Sequence, residues 1–171
     1  MTPLVEILKA PFPWFGGKSR VANLVWDYFG DVGNYVEPFG GSLAVLLGRP
    51  STPRTETVND KDCHLINFWR AIKHAPDEVA AAADWPVTEA DLTARHLWLV
   101  STGLERIEKL KTDPFHYDAQ VAGWWVWGIS IWIGGGWCNG AHGTAPPQIP
   151  HLGPNMGVHQ NLDTGENERG N

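Results

Sequence analysis

Cysteine is nearly missing from this chain: Cys63 and Cys138 are the only two, far apart and outside any C-x-x-C spacing. That excludes a disulfide framework and a cysteine-rich zinc site, and a reducing, cytoplasmic compartment is the expectation. Positive charge is short as well. The 13 Lys and Arg stand against 19 Asp and Glu, a formal net charge of −6. A protein that coats nucleic acid non-specifically is thereby excluded, because that mode needs many cations to neutralise phosphates; a local basic face is compatible with the balance. Residues 1–10 contain acidic Glu6 and have neither a basic stretch nor a sustained apolar run. No secretory signal is read there, and the mature chain is expected to begin at Met1. The stretch of residues 119–138 carries no formal charge and is heavy in Trp, Ile and Val, so it needs testing as a membrane span. Its tryptophans, at 124, 125, 127, 132 and 137, run through the segment rather than gathering at its ends, and Gly134 to Gly136 interrupt it. Tryptophan in membrane helices concentrates at the interfaces, so the segment reads as a buried helix followed by a glycine-rich loop, with no membrane partner.

What the chain does hold is apolar mass: 43% of 171 residues, enough for the core of one globular unit. Along the chain, the Pro- and Gly-containing segment PFPWFGGKSR, from Pro11, is a loop that feeds a helix over 19–29 whose face is read from Val21, Leu24, Val25 and Tyr28. Tyr35-Val36-Glu37 reads as a short strand stopped by Pro38. A turn at Gly40-Gly41 and an apolar helix over 42–47 follow. Residues 56–58 form a candidate second strand ending at Asn59-Asp60, and Leu65, Ile66, Trp69 and Ile72 mark another helix face. Alternation of strand and helix predicts a parallel sheet and an α/β fold. From Pro76 the strand signals stop. Helices are expected over 77–83, 88–100 (with a capping-box-like Thr88-x-x-Asp91) and 104–111. Beyond Gly134, Gly, Pro, Asn and His dominate, and no regular structure is expected.

Three segments carry candidate chemistry. Gly16-Gly17-Lys18-Ser19 matches the second half of a phosphate-binding P-loop, but Phe12 stands where that motif needs its first glycine and Pro11-Phe12-Pro13 is a poor launching strand. Glu37-Pro38-Phe39-Gly40-Gly41 lies at a strand's carboxyl end, where open α/β sheets bind ligands. There Glu37 can accept from a cationic amino group and Phe39 can pack on an aromatic ring; a tight turn with a solvated Glu is the equal alternative. Asp60 follows the second strand, where nucleoside-binding sheets place the acid that grips ribose hydroxyls. Helix capping explains at least one acid of Asn59-Asp60-Lys61-Asp62 just as well.

In order and spacing, WFGGK, VEPFGG and NDKD together resemble the cofactor half of Dam-like DNA adenine-N6 methyltransferases. The resemblance implies a Rossmann-like methyltransferase sheet, incomplete in this chain, with a helical target-recognition insertion. It implies S-adenosylmethionine as cofactor, held by Trp14, Gly16, Gly17, Lys18, Glu37, Phe39, Gly41 and Asp60, and double-stranded DNA as partner. The implied division is a cofactor-binding part over 1–75, the helical insertion over 76–140 and an irregular, flexible tail over 141–171. By the same analogy the loop around Gly134 to Gly140 meets DNA, with Trp137 to stack or wedge and Asn139 to bond a base edge; a core tryptophan beside a turn is the alternative. Leu43 departs from the family, which usually has glycine at that place.

The family's catalytic tetrapeptide, (Asp/Asn)-Pro-Pro-(Tyr/Phe), does not occur. It is the part that holds a flipped adenine. The nearest string, Asp113-Pro114-Phe115-His116, lacks the second proline and follows a charged helix, so it reads as a helix-ending turn. The expectation is therefore a truncated or fragmentary enzyme, inactive alone, with no catalytic residue of its own. A complementing catalytic segment or a full-length methyltransferase is the implied partner. The rival expectation is a non-catalytic DNA- or partner-binding remnant; a P-loop hydrolase is third. His142, His151 and His159 match no zinc spacing, and no metal is expected.

Overall fold

The computed structural model describes residues 8–52, 54–133 and 137–138, all within one compact unit. Its architecture is mixed α/β: a two-stranded parallel sheet and a set of helices. The first helix, α1 (Ala22–Phe29), stops at Gly30, whose φ of 63° is left-handed. Strand β1 (Asn34–Glu37) pairs in parallel with β2 (Thr55–Val58), Asn34 opposite Thr55 and Glu37 opposite Val58. The crossover between them holds the one-turn helix α2 (Ala44–Leu47).

The expected face of the first helix is corrected. Leu24 and Tyr28 are 54% and 82% exposed, while Ala22 and Trp26 are buried. Trp26 decides the orientation because its indole stacks at 4.9 Å on Tyr35 of β1 and its Nε1 donates to the Val45 carbonyl at 2.6 Å. A buried Trp removes a large apolar area from water, and its polar handle fixes the angle. This small core of Ala22, Trp26, Tyr35 and Val45 covers one face of the sheet. On the other face Val36 is 58% exposed.

The larger core is helical. Helix α3 (Cys63–His74) starts at Asp62, whose carboxylate accepts from the His64 and Leu65 amides. Pro76 opens α4 (Pro76–Ala83), where its missing N–H costs nothing. Thr88 caps α5 (Glu89–Trp98) by accepting from the Asp91 amide, so the expected capping signal is in place. The break expected after this helix is absent: a π-helical turn (Leu99–Gly103) carries the rod on into α6 (Leu104–Ile107) and a 3-10 turn (Glu108–Lys111). The shift of register lets Leu99 and Ile107 both face the core, at 0% and 1% exposure. Helix α7 (Ala119–Ile131) runs through the middle of this group. Gly123 permits its approach to α4, since a Cβ there would lie 2.7 Å from the Val79 carbonyl oxygen. Among the described residues no helix is long and apolar enough to cross a membrane.

Two buried polar side chains tie the helices together. Asn67, fully buried on α3, donates to the Asp118 carbonyl and accepts from the Asp118 amide, both at 2.8 Å, just where α7 begins. His64, at the start of α3, places Nε2 3.2 Å from the Leu99 carbonyl in the π turn. Burial pushes the His64 imidazole below its ordinary value of 6.5, against the opposing pull of Asp62. The folded state therefore prefers neutral His64, and its stability is whole above pH 6.5 and falls as the pH drops below it, because the unfolded chain then binds the proton more readily. Urea denaturation midpoints across pH 5–8 should show this loss in the parent chain. His64→Gln, which can still donate to Leu99 without titrating, should give a flatter profile; superimposable profiles would refute the assignment.

Candidate functional site at the carboxyl edge of the sheet

Because the strands are parallel and in register, both deliver their carboxyl ends to one edge, the place where α/β sheets hold ligands. The pairing continues past the strands: the Asn59 amide donates to the Glu37 carbonyl at 2.9 Å and the Gly40 amide to the Asn59 carbonyl at 2.8 Å. This zips the turn after β1 to the segment after β2. Gly41 then takes a left-handed φ of 55°. Its amide donates to Asp60 Oδ2 at 3.0 Å, and its carbonyl accepts from the Trp69 indole at 3.1 Å. A Cβ on Gly41 would stand 2.7 Å from the Trp14 ring, so Trp14 is packed directly on the glycine.

Glu37 ends β1 on the covered face and is 4% exposed. Its Oε2 accepts from the Tyr35 hydroxyl at 3.0 Å. Its Oε1 lies 2.9 Å from Lys18 Nζ as an ion pair without hydrogen-bond alignment. Burial, reinforced by the Glu37 charge, pushes the Tyr35 phenol far above its ordinary value and keeps it a donor. Lys18 also donates to the Phe39 carbonyl at 2.6 Å. The lysine thus fastens the N-terminal loop over the corner while Phe39 turns its ring outward, 80% exposed.

The loop that delivers Lys18 is a tight turn in which the Gly17 amide donates to the Trp14 carbonyl at 2.9 Å and Gly16 has φ of 71°. Residues 8–13 form no strand and the Lys18 amine is engaged with Glu37 and Phe39, so the P-loop reading finds neither its launching strand nor a free lysine. Phe15 beside it is 99% exposed.

The structure therefore brings Trp14, Lys18, Glu37, Gly41 and Asp60 into one linked set, with Gly16 and Gly17 shaping the loop and Phe39 at the rim. The choice between capping and site at the NDKD segment divides between its two aspartates. Asp62 caps α3, whereas Asp60 accepts from the Gly41 amide with one oxygen and from the Asp62 amide with the other. Two further participants escaped the sequence reading. Tyr35 sits two residues before Glu37, on the same strand face by the two-residue period, and that signal was available. Trp69 was assigned only to a helix face; its indole bond to Gly41 depends on how α3 docks, which no local pattern encodes.

The other candidates lie elsewhere. Trp137 takes the core alternative: it is 4% exposed, donates from Nε1 to the Trp125 carbonyl at 3.0 Å and fills the notch left by Gly128. A buried indole with its N–H spent cannot wedge into a base step, so the expected DNA role at Trp137 is withdrawn. Asn139 falls outside the described residues, as do His142, His151 and His159. Asp113 uses its carboxylate on the Phe115 amide of its own turn at 2.9 Å, and Arg70 pins that turn through the Asp113 and His116 carbonyls.

A buried carboxylate paired with a lysine, a second carboxylate bound to two backbone amides and an exposed aromatic ring thus meet at this corner. A family model described as D12 class N6 adenine-specific DNA methyltransferase matches residues 14–99, which span this whole corner. No curated protein and no solved structure matches the chain. Gly41→Ala should displace Trp14 and lose the left-handed turn, at a cost of about 1–2 kcal/mol for the backbone alone. Thermal unfolding should show the drop, and Gly33→Ala, where a Cβ meets open space, should not; equal melting of the two variants would refute the packing account.

Proposed function

The chain belongs to the D12 class N6 adenine-specific DNA methyltransferases, and from that premise we propose that the cleft at Gly41 binds S-adenosylmethionine for methylation of adenine N6 at specific sites in duplex DNA. The observation that carries the proposal is the convergence on Gly41 of Trp14, Asp60 and, through Glu37 and Phe39, Lys18. The donor set fits the cofactor. Glu37 Oε1, buried and without a hydrogen bond, is the acceptor for the amino acid's ammonium. Asp60, already fixed by two backbone amides, has lone pairs left for the ribose hydroxyls. Phe39 supplies an exposed face for the adenine ring. When bound, the cofactor supplies an electrophilic methyl group; the residues named here bind and orient it, and Trp14 excludes water from behind the glycine.

The second reading, a DNA- or partner-binding module that transfers no methyl group, is favoured by one observation. The 171 residues hold no Asp-Pro-Pro-Tyr-type tetrapeptide, and the nearest approach to one spends its aspartate on its own turn. We accordingly propose that these residues bind cofactor without turning it over unless a segment carrying that tetrapeptide is supplied, by a separate chain or by a complete methyltransferase.

Calorimetry with S-adenosylhomocysteine should show one site, weakened about tenfold or more by Asp60→Ala, since a charge-assisted bond to a hydroxyl is worth about 1.5–3 kcal/mol. Unchanged affinity in that variant would remove Asp60 from the site. Incubation with methyl-labelled S-adenosylmethionine and adenine-containing duplex should leave the DNA unlabelled; label in the DNA would overturn the second reading.

A further inference from the structure

Away from the Gly41 corner, α4, α5 and α7 border an open cavity of about 510 Å³ lined by Trp85, Asp91, Arg95, Trp98, Gln120 and Trp124, with alanines between them. Arg95 is its anomaly. The residue is 7% exposed, and its guanidinium carbon lies 4.4 Å from the ring centre of Trp127, 4.8 Å from that of Trp124 and 5.0 Å from that of Trp85. Among the described residues it makes no hydrogen bond, and its Nη1 is buried without a partner. Burial pulls the guanidinium below its ordinary value, with the Asp91 charge opposing. Asp91 forms no ion pair with it among the described residues; that carboxylate accepts from the Thr88 hydroxyl at 2.6 Å.

Indole rings satisfy a guanidinium through its flat faces; its N–H groups lie in the plane and still require acceptors. A desolvated cation without an acceptor, at the wall of an open apolar cavity, is complementary to an anionic oxygen group. Apart from Gln120 and the Asp91 carboxylate, which already accepts from the Thr88 hydroxyl, the lining is aromatic and small, suited to a flat ring rather than to a bulky chain. We propose that this cavity binds a nucleotide, its phosphate on Arg95 and its base against the tryptophans. Membership of a DNA-modifying family selects a nucleotide among planar anions; the proposal does not rest on the cofactor reading, which concerns a different cleft. The same chemistry is offered by a free mononucleotide and by a nucleotide unpaired from a strand.

Calorimetry on the 171-residue chain, with the other cleft saturated by S-adenosylhomocysteine, tests it with four probes: thymidine 5′-monophosphate, oligothymidylate, thymidine and inorganic phosphate. Thymine avoids competition for an adenine-binding site. Saturable binding of the mononucleotide identifies a free nucleotide as the source, and binding of the oligonucleotide alone identifies a strand; either supports the proposal. Thymidine and phosphate should bind about tenfold or more weakly, since each keeps only one of the two interactions. Arg95→Met should abolish binding. Trp85→Ala, at a ring already 52% exposed, should weaken it with the fold intact by circular dichroism, which guards against failure of the first variant to fold. S-adenosylhomocysteine affinity should be unchanged in both. The proposal is overturned by absence of binding to both nucleotides, by phosphate binding as tightly as the mononucleotide, or by parent-like affinity in Trp85→Ala.

Discussion

The peptide flanks of a single glycine organise the chain. Gly41 gives its N–H to Asp60 and its carbonyl to Trp69, and lets Trp14 rest where a side chain would be. Those three partners come from three places: the segment after β2, the middle of α3, and the N-terminal loop. Their meeting point is also the seam between the small core under the sheet and the large helical core. A buried peptide group left unpaired would cost about 1–3 kcal/mol. The two hydrogen bonds therefore do more than satisfy the corner: they set the angle at which the helices meet the sheet. The cleft inherits its shape from that angle. Phe12, two residues ahead of Trp14, locks the arrangement from below by packing edge-on against Phe68 at 5.2 Å and Trp125 at 5.1 Å.

Leu43 shows how the corner keeps its geometry without the usual residue. Its φ of 52° is left-handed, the conformation that glycine adopts freely and leucine at a cost of about 1–2 kcal/mol. Burying the side chain, at 8% exposure, returns about 1.5–3 kcal/mol. The balance favours leucine, and the backbone path is the one a glycine would take. A Cβ on Gly40 would strike the Leu43 side chain at 2.8 Å, so Gly40 is bound to this choice.

How much of this was legible in the sequence follows from the range of the interactions involved. The strand, turn, helix order and the caps at Asp62 and Thr88 rest on neighbours a few residues apart, and local pattern finds them; the parallel pairing joins more distant residues and was legible only through the alternation of strand and helix. The residues of the cleft were found because three short motifs fall in order. What the pattern missed is decided by docking. Trp26, Trp69 and Trp137 each carry an indole N–H that bonds a carbonyl 12 to 28 residues away, and an amphipathic count treats them as generic apolar positions. The π turn is equally silent in sequence, since the extra residue per turn is needed only to bring both Leu99 and Ile107 inward. Asn67 looks like a polar interruption of a helix until its clamp on Asp118 is seen.

Helix α7 carries a consequence of its own. Gly123 and Gly128 are the notches that admit the Val79 carbonyl and the Trp137 ring, and each glycine in a helix interior costs about 1 kcal/mol relative to alanine. Its remaining stretch is rich in tryptophan and β-branched residues, which are poor helix formers in isolation. Cut out as a peptide, this segment has little reason to coil. Its helicity is a property of the assembled neighbourhood.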